Sequence, residues 1–313
     1  MIALWRHMRA LWPRWTLLPP LPFFAYGAWL VSQRALRWEH VALMIVVPAL
    51  AYIGPRTKRL CVAAYPIALV GLLYDVMRYV KDVGVTTSSV HVCDLRDAEV
   101  SLFGWGSGAG GRTLHDWFLT HHATALDLYC AVPYAFFLYA VLGVGVYLYR
   151  RDYSALQRLA WAFFLANIAA FVTYHLYPAA PPWYFHQHGC VVDVAAAPSA
   201  GPRLLHVDTV LGYPYFQSMY ARASSVFGAV PSLHSAYPLI IAIEGWAVFG
   251  RTGRALAVLF ALSMWFSAVY LDHHWVIDVL LGITYGAAAS AVIRVIARLV
   301  ARPEHREPVP VTS

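Results

Sequence analysis

Charged residues are scarce in this 313-residue chain: Asp, Glu, Lys and Arg together make up 12% of it. Soluble domains contain roughly 25%, because charged side chains cover their surface. Hydrophobic residues make up 60% of the chain. This composition excludes an ordinary soluble globular protein and a disordered chain. The net charge of +7 is divided among small basic clusters between apolar runs, a pattern that is typical of membrane proteins and unlike a nucleic-acid-binding patch.

Cysteine is scarce as well. Four cysteines in 313 residues do not make a disulfide scaffold, and the sequence contains no Cys-x-x-Cys pair. A phosphate-binding loop is also absent, because the glycines of 104–111 are not followed by Gly-Lys-Ser or Gly-Lys-Thr.

Long apolar runs are abundant. A helix needs roughly 20 mostly apolar residues to cross a bilayer, and eight runs approach that length: 17–33, 40–54, 60–77, 126–149, 157–177, 230–249, 255–272 and 276–298. The sequence therefore predicts an all-α integral membrane protein with about eight transmembrane helices. We expect residues 1–16, which interleave Trp with Arg, to lie on the membrane surface. We expect 299–313, which are polar and contain proline, to form a disordered cytoplasmic tail.

The basic residues predict an orientation for these spans. Eight spans place both termini on one side, together with the short loops 54–59, 150–156 and 250–254, which are rich in Arg and Lys. The positive-inside tendency makes this side cytoplasmic. The predicted organisation is then an N-terminal transmembrane part (17–77), an extracytoplasmic loop (78–125) and a transmembrane core (126–298). A second long segment, 178–229, also faces outward, and both are long enough to carry function or small helices.

Cys93 and Cys190 fall in the two outward segments. An extracytoplasmic or lumenal compartment permits disulfides, and we predict that these two cysteines pair. Two unpaired thiols are the alternative at this stage.

Polar residues gather at the outer ends of three spans. The segment 227–235 reads Phe-Gly-Ala-Val-Pro-Ser-Leu-His-Ser, and 270–278 reads Tyr-Leu-Asp-His-His-Trp-Val-Ile-Asp. His274 and Asp278 are four residues apart, which places them on one face of a helix. The carboxylate then orients one imidazole nitrogen and leaves the other as a nucleophile, while His234 protonates the leaving oxygen. Each group alone is more often a boundary anchor, but three at one membrane level favour function.

These segments resemble a known family. Pro231-Ser-Leu-His234 resembles the P-S-x-H motif of the type 2 phosphatidic acid phosphatase superfamily, and His274-x-x-x-Asp278 resembles its H-x-x-x-D motif. Residues 174–183, 227–235 and 270–278 are similar to one branch, the inositol phosphorylceramide synthases. The resemblance runs from about residue 120 to 298. It implies a six-helix core preceded by two extra spans, with no metal or organic cofactor. It also implies that His274 is the nucleophile, Asp278 its orienting partner and His234 the acid.

The chain departs from the family at two phosphate-clamping cations. The K-x6-R-P motif is missing, and Ser267-Ala268 stands where the later motif begins Ser-Arg. The charge on a transferring phosphoryl group still needs stabilisation. We favour Arg222 and His273, which lie nearest the motifs, over Arg112, Arg203 and Lys81. The alternative for Arg222 is an ordinary interfacial arginine. The alternative for His273 is a histidine that only faces lipid head groups.

Further residues are candidates for binding substrate. They are Ser232 in the first motif and Tyr174, His175 and Trp183 in the Pro-Pro-Trp segment; Trp183 belongs to an aromatic patch that we expect to position lipid. His186 and His188 with Cys190 and Asp193 are a weak metal candidate, and we expect no metal. Glu244 and Asn167 are expected to be structural hydrogen-bonding groups within the bundle.

The main functional hypothesis is a membrane phosphotransferase. It moves a phosphorylated, inositol phosphate-like head group from a lipid donor to a lipid hydroxyl through a phosphohistidine. The alternative with the same residues is a lipid phosphate phosphatase acting on phosphatidate-like or polyprenyl phosphates. An alternative of another class is a transporter or a non-catalytic lipid-binding protein. The expected partners are lipids and the membrane; a homo-oligomer or a small membrane subunit is left open.

Overall fold

The computed structural model describes residues 2–106, 110–221 and 225–301. Within these ranges the regular structure is helical, and the only β-pairings are isolated bridges. The helices are α1 (Ile2–Leu11), α2 (Leu21–Ser32), α3 (Trp38–Tyr52), α4 (Pro55–Val80), α5 (Cys93–Phe103), α6 (Leu114–Thr120), α7 (Thr124–Arg151), α8 (Tyr153–Leu176), α9 (Pro182–His188), α10 (Gly201–Leu211), α11 (Tyr215–Tyr220), α12 (Leu233–Gly245), α13 (Arg251–Tyr270) and α14 (Val276–Ala301). The predicted all-α class is confirmed.

Five of the described helices are long and apolar enough to cross a membrane: α4, α7, α8, α13 and α14. Each of the eight predicted runs corresponds to one helix, but α2, α3 and α12 have only 12, 15 and 13 residues. At about 1.5 Å per residue, these three are shorter than a hydrocarbon core of roughly 30 Å. The chain is thus a multi-pass membrane protein with five candidate spans, and the number eight stays a prediction.

A local sequence signal explains the boundary between α7 and α8. Asp152 ends α7 and begins α8, because its carboxylate accepts a hydrogen bond from the backbone N–H of Ala155 (2.9 Å). Such a cap satisfies a donor that a helix start otherwise leaves open. Residues 299–301, which the sequence assigns to the tail, belong to α14, since this helix continues to Ala301; residues 302–313 lie outside the described residues.

The chain divides into two compact units, Met1–Val76 and Met77–Ser313. The first contains α1 to α3 and most of α4 around an apolar core of Phe23, Val47, Ala51 and Cys61. Near the end of α4, Asp75 is paired with Arg37 (2.5 Å) and His40 (2.8 Å). In α1 no residue is buried, and its predicted position on the membrane surface stays a prediction.

The second unit is built around α12, which packs against α7, α8, α13 and α14. Helix α14 approaches α12 closely because it presents glycines. A Cβ added at Gly286 would lie 2.9 Å from the carbonyl oxygen of Ala236, and one at Gly282 would clash with the carbonyl oxygen of Ser232. The close approach brings the start of α14 next to the start of α12, where the two motifs lie.

Two polar groups deep in this unit have structural partners. The carboxylate of Glu244 is fully buried and ion-paired with Arg158 (2.9 Å) and Arg294 (3.0 Å). Asn167 accepts a hydrogen bond from the hydroxyl of Tyr237 (2.8 Å). Buried charges persist when they are paired in this way, and both residues serve the bundle as the sequence suggests.

The two long segments fold together into a cap, by which we mean the described residues of 81–123 and 177–232. It carries α5, α6, α9, α10 and α11. The predicted pair Cys93 and Cys190 forms a disulfide bond between the two segments. Backbone hydrogen bonds between the segments add to it, because His91 N–H donates to the carbonyl oxygen of Pro178 (2.8 Å) and Ala180 N–H donates to the carbonyl oxygen of His91 (2.9 Å).

Candidate active site

His234 and His274 meet where the two sequence motifs converge. His234 lies in the first turn of α12, and His274 lies in the short connection between α13 and α14. The Nδ1 atom of His234 is 3.1 Å from the Nε2 atom of His274. The structure therefore brings the two predicted catalytic histidines into direct contact.

The other side of His274 is held by the backbone. Its Nδ1 lies 3.0 Å from the carbonyl oxygen of Ala229, and since a carbonyl only accepts, Nδ1 carries the proton. The Nε2 atom then keeps its lone pair and accepts from the Nδ1–H of His234. Burial lowers the pKa of His274 to about 4. The ring is thus neutral at neutral pH, as a nitrogen nucleophile requires.

Asp278 differs from the expected arrangement. Its Oδ2 accepts a hydrogen bond from the backbone N–H of Trp275 (3.0 Å) and lies 3.6 Å from His274 Nδ1, which is longer than a hydrogen bond. The reason is that α14 begins at Val276, so His274 precedes the helix and does not share a helical face with Asp278. Among the described residues, Oδ1 of Asp278 has no hydrogen-bond partner.

His273 does not offer the cation that the sequence suggests. Its Nε2 lies 2.7 Å from the carbonyl oxygen of Ala200, and its ring packs against Tyr134 and Tyr220. Burial, with the neighbouring His274, lowers the pKa of His273 to about 4. The side chain is therefore neutral near pH 7 before a phosphate binds.

Ser232 ties the two motifs together. Its backbone N–H donates to the carbonyl oxygen of Asp278 (3.0 Å), and its hydroxyl accepts from the backbone N–H of Ser235 (3.3 Å), which caps α12. The side chain is fully buried. Its contacts position His234, and its binding of substrate stays a prediction.

The Pro-Pro-Trp segment braces the same region. The Tyr174 hydroxyl donates a hydrogen bond to the carbonyl oxygen of Pro231 (3.0 Å). The backbone N–H of Trp183 donates to the backbone carbonyl oxygen of Asp272 (3.0 Å). The ring nitrogens of His175 each lie 2.9 Å from a backbone carbonyl oxygen. These contacts are structural, so substrate binding by the three residues stays a prediction.

Of the remaining candidate cations, Arg112 is exposed, two others are ion-paired, and the last has no described position. Arg203 is buried over the ring of Tyr270 (4.7 Å) and pairs with Asp127 (3.5 Å). Lys81 pairs with its neighbour Asp82 (2.7 Å). Arg222, the favoured clamp, lies outside the described residues.

A sequence profile of the PAP2 superfamily matches residues 110–292, a region that contains both histidines, Asp278 and most of the cap. The chain belongs to the PAP2 superfamily. The resemblance seen in the motifs is thereby confirmed.

Named relatives narrow the position within the PAP2 superfamily. The chain is 33% identical over 253 residues to the phosphoinositol dihydroceramide synthase of Bacteroides thetaiotaomicron, covering 80% of this chain and 81% of that protein. It is 27% identical over 237 residues to the inositol phosphorylceramide synthase catalytic subunit of Saccharomyces cerevisiae, covering 74% and 56%. For the inositol phosphorylceramide synthase of Candida albicans the identity is 28% over 175 residues, covering 55% and 37%. No solved structure matches the chain significantly.

The expectation of an enzyme is confirmed by these findings. The superfamily match and the synthases among its relatives make the chain a lipid head-group phosphotransferase at this coarse level.

The PAP2 site has a buried polar network that the motifs do not reveal. Asp272, just before the two histidines, accepts from His115 Nδ1 (3.1 Å) and from His186 Nδ1 (2.7 Å). On its other side His186 donates to Asp116 (3.3 Å). These residues come from α6, α9 and the connection between α13 and α14, so the network joins two helices of the cap to the connection that carries His274.

Helix α14 has an unexpected partner at its N-terminus. The carboxylate of Glu99, on α5, accepts from the backbone N–H groups of Val276 (2.9 Å) and Ile277 (3.1 Å). Burial raises the pKa of Glu99, whereas a carboxylate at a helix N-terminus is stabilised by the free N–H groups there. This contact fixes the start of the helix that carries Asp278.

The weak metal candidate is not assembled. Cys190 is in the disulfide and His186 is held between two carboxylates. In the part of the chain that the structure describes, no three residues of the His, Cys, Asp or Glu types are placed to hold a metal ion.

The network makes the stability of this PAP2 cap depend on pH. Burial opposes the charge on His186, but its bonds to Asp116 and Asp272 raise its pKa to about 9. Since this pKa lies above the usual 6.5, the stabilisation is complete below pH 6.5 and is lost as the pH rises through 9. In Asp272, burial is outweighed by His115 and His186, which lower the pKa to about 2; its contribution is lost as the pH falls from about 4 towards 2.

We therefore expect thermal unfolding in detergent to be most resistant between about pH 4 and pH 6.5. Between pH 6.5 and pH 9, the free energy of unfolding of wild type should fall by on the order of 2–3 kcal/mol more than that of His186→Gln, because one pKa unit corresponds to about 1.4 kcal/mol. Parallel curves for the two proteins across this range would contradict a charged His186.

Proposed function

We propose that the protein transfers an inositol phosphate-like head group from a phospholipid donor to the hydroxyl of a ceramide-like lipid. The single observation that carries this proposal is the 3.1 Å contact between His234 Nδ1 and His274 Nε2, with His274 Nδ1 held by Ala229. The choice of head group and acceptor is supported by the names of the relatives, which are inositol phosphorylceramide and phosphoinositol dihydroceramide synthases.

In the first step, the lone pair of His274 Nε2 attacks the phosphorus of the donor phosphodiester. The N–P bond forms, and the bond between phosphorus and the diacylglycerol oxygen breaks. That oxygen takes a proton from His234, and diacylglycerol leaves. The bound anionic phosphate favours a protonated His234, and the phosphoryl group must enter between the two rings, so their direct contact opens when the donor binds.

In the second step, His234 is the base. It removes the proton from the acceptor hydroxyl, whose oxygen attacks phosphorus while the N–P bond to His274 breaks. The head group is then joined to the acceptor lipid, and both histidines return to their starting protonation. No redox change and no metal is needed for this balance, and the positioned acid–base group typically contributes about 10²–10⁴-fold.

Asp278 is proposed to stabilise the positive charge that His274 gains when its nitrogen bonds to phosphorus. The carboxylate lies 3.6 Å from Nδ1, close enough to stabilise a positive charge on the ring. In the neutral ring, Nδ1–H of His274 donates its hydrogen bond to the carbonyl oxygen of Ala229. Arg222 remains the proposed cation for the phosphoryl oxygens.

Asp278→Asn is expected to lower kcat about 100-fold, the lower end of the roughly 10²–10³-fold loss that follows removal of one electrostatic stabiliser of a transition state. An asparagine oxygen still accepts from Trp275 N–H, so the start of α14 is preserved, but the negative charge beside His274 is lost. Initial rates and thermal unfolding of the same preparation measure both effects. An unchanged kcat would reduce Asp278 to a cap of α14.

The proposed orientation follows the basic loops. We propose that both termini are cytoplasmic and that the cap and the histidines lie on the extracytoplasmic or lumenal side, where the disulfide is stable. The lipids then enter sideways from the outer leaflet. Labelling with a membrane-impermeant thiol reagent tests this orientation in two variants, Arg151→Cys and His121→Cys. In intact cells or right-side-out vesicles, only the cysteine of His121→Cys should react.

Product analysis separates the proposed transferase from the phosphatase. Purified protein in micelles is incubated with phosphatidylinositol and ceramide, with phosphatidylinositol and diacylglycerol, or with phosphatidate alone, and lipids are followed by mass spectrometry. We expect a phosphoinositol ceramide and an equal amount of diacylglycerol in the first mixture. Free phosphate from phosphatidate without any transfer would replace the proposal by a lipid phosphate phosphatase, and the absence of both products would contradict both.

A further inference from the structure

Tyr134 of α7 forms one wall around the catalytic histidines. Its ring stacks on His234, with centroids 4.6 Å apart and planes 21° from parallel, and it lies 5.2 Å from the ring of His273. The residue is fully buried. Its ring therefore helps to fix His234 in the direction of His274, which explains an aromatic ring at this position but not a tyrosine.

The hydroxyl of Tyr134 is the unusual part. It is buried, and it has no hydrogen-bond partner among the residues that the structure describes. Buried hydroxyl groups are almost always bonded, because an unpaired one destabilises the fold. Tyr237 of the same bundle follows the rule, since its hydroxyl donates to Asn167 (2.8 Å). A phenylalanine at 134 would keep the stacking on His234 and remove the unsatisfied group.

A buried hydrogen-bond donor beside the histidines would have a chemical role in phosphoryl transfer. The developing charge on a transferring phosphoryl group is stabilised by preorganised donors aimed at its oxygens. The chain lacks both cationic motifs that would supply them, His273 is neutral near pH 7, and Arg203 is paired with Asp127. A phenol O–H is a neutral donor that can be buried beside two imidazoles without adding a charge.

We propose that Tyr134 is a further catalytic residue, whose hydroxyl donates a hydrogen bond to a non-bridging oxygen of the lipid-borne phosphate while His274 attacks phosphorus. No proton is transferred in this contact; the bond strengthens as negative charge builds on that oxygen. The inference rests on the proposed phosphoryl transfer at the two histidines. The phosphate in the site is then held by a neutral hydrogen-bond donor, Tyr134, in addition to any cation.

Tyr134→Phe tests the proposal because activity and stability should move in opposite directions. We expect kcat to fall about 100-fold, the lower end of the roughly 10²–10³-fold loss for removal of one oxyanion donor, with KM changed less than about threefold. The unfolding temperature should stay the same or rise, since an unsatisfied hydroxyl is gone. The matched control is Tyr237→Phe, which loses a satisfied hydrogen bond: its unfolding temperature should fall while kcat stays within about twofold.

Orthovanadate supplies a readout that does not depend on the donor lipid, because it presents phosphate-like oxygens to the same site. It should raise the unfolding temperature of wild type and of Tyr237→Phe, and do so much less for Tyr134→Phe. A kcat of Tyr134→Phe within about threefold of wild type, with an undiminished vanadate shift, would overturn the proposal and leave the ring as packing only. If Tyr134→Phe has a lower kcat and also a clearly lower unfolding temperature than wild type, the proposal is overturned as well, because the loss of activity then follows from the loss of stability.

The test separates this inference from the function on which it rests. If wild type makes the transfer product and His274→Ala does not, a normal Tyr134→Phe refutes the tyrosine alone. If wild type makes no transfer product, the proposed function fails, and the same variants are compared for phosphate release from phosphatidate. There a 100-fold loss again supports the hydroxyl, and an unchanged rate refutes it.

Discussion

Replacing His274 by alanine is expected to abolish lipid phosphoryl transfer, with kcat reduced on the order of 10⁴-fold or more. The reason is that the Nε2 lone pair, which faces His234 at 3.1 Å, is the only proposed attacking atom, and neither water nor a neighbouring side chain occupies its place in the mechanism. The measurement is the initial rate of product formation by purified His274→Ala, with wild type prepared in parallel.

His121→Ala is the matched control. His121 is an exposed histidine of the cap whose ring stacks on Trp117 (4.3 Å), and it contacts neither motif. It should keep wild-type kcat within about twofold, since exposed substitutions of this kind have small effects. Substantial activity in His274→Ala, or an equal loss in both variants, would contradict the assignment of the nucleophile.

Removing the disulfide is expected to have the largest effect on stability. Cys93 and Cys190 are 97 residues apart in sequence, and cross-linking a loop of about 100 residues is worth up to roughly 4.7 kcal/mol in the chain-entropy model, with 2–4 kcal/mol typical. We expect Cys93→Ser with Cys190→Ser to lower the free energy of unfolding by about 3 kcal/mol.

The same double variant should lose part of its activity. Cys93 begins α5, and α5 carries Glu99, whose carboxylate holds the first N–H groups of α14. Loosening α5 therefore reaches the helix that bears Asp278. Treatment of wild type with a phosphine reductant should reproduce both losses and should leave the double variant unchanged. An unfolding temperature that is insensitive to both changes would contradict a structural role for this bond.

The proposed reacting groups could be found from the sequence because each lies in a short motif at the end of an apolar run. Periodicity and hydropathy place 227–235 and 270–278 at one level, and the structure joins His234 to His274. The relation of His274 to Asp278 is less predictable. Spacing by four suggests one helical face, but the local turn before α14 puts His274 outside the helix, so a backbone carbonyl takes the hydrogen bond.

The network behind the motifs has no local signal at all. Asp272 contacts His115 and His186, which are 157 and 86 residues away, and such pairs depend on how the cap folds. Tyr134 is hidden for a different reason: an aromatic residue in an apolar run resembles ordinary membrane packing. Its stacking on His234 distinguishes it, together with a hydroxyl that has no hydrogen-bond partner among the described residues.

Span number illustrates the limit of hydropathy. The apolar composition of α2, α3 and α12 suggests crossing helices, but their ends are set by proline, capping and connections, which make them 12, 15 and 13 residues long. Composition shows that a segment is apolar, but the length of the helix depends on where its backbone hydrogen bonds end.

Transfer through a covalent intermediate on His274 is tested most directly by trapping it. Wild-type protein is mixed with phosphatidylinositol labelled in the inositol ring, without acceptor, quenched in alkali within one turnover, and its peptides are analysed by mass spectrometry. We predict one inositol phosphate on His274, absent in His274→Ala and transferred to ceramide when ceramide is added before the quench. Product formation in a single turnover with no labelled His274 at any earlier time would contradict the covalent route and point to direct transfer between the two lipids.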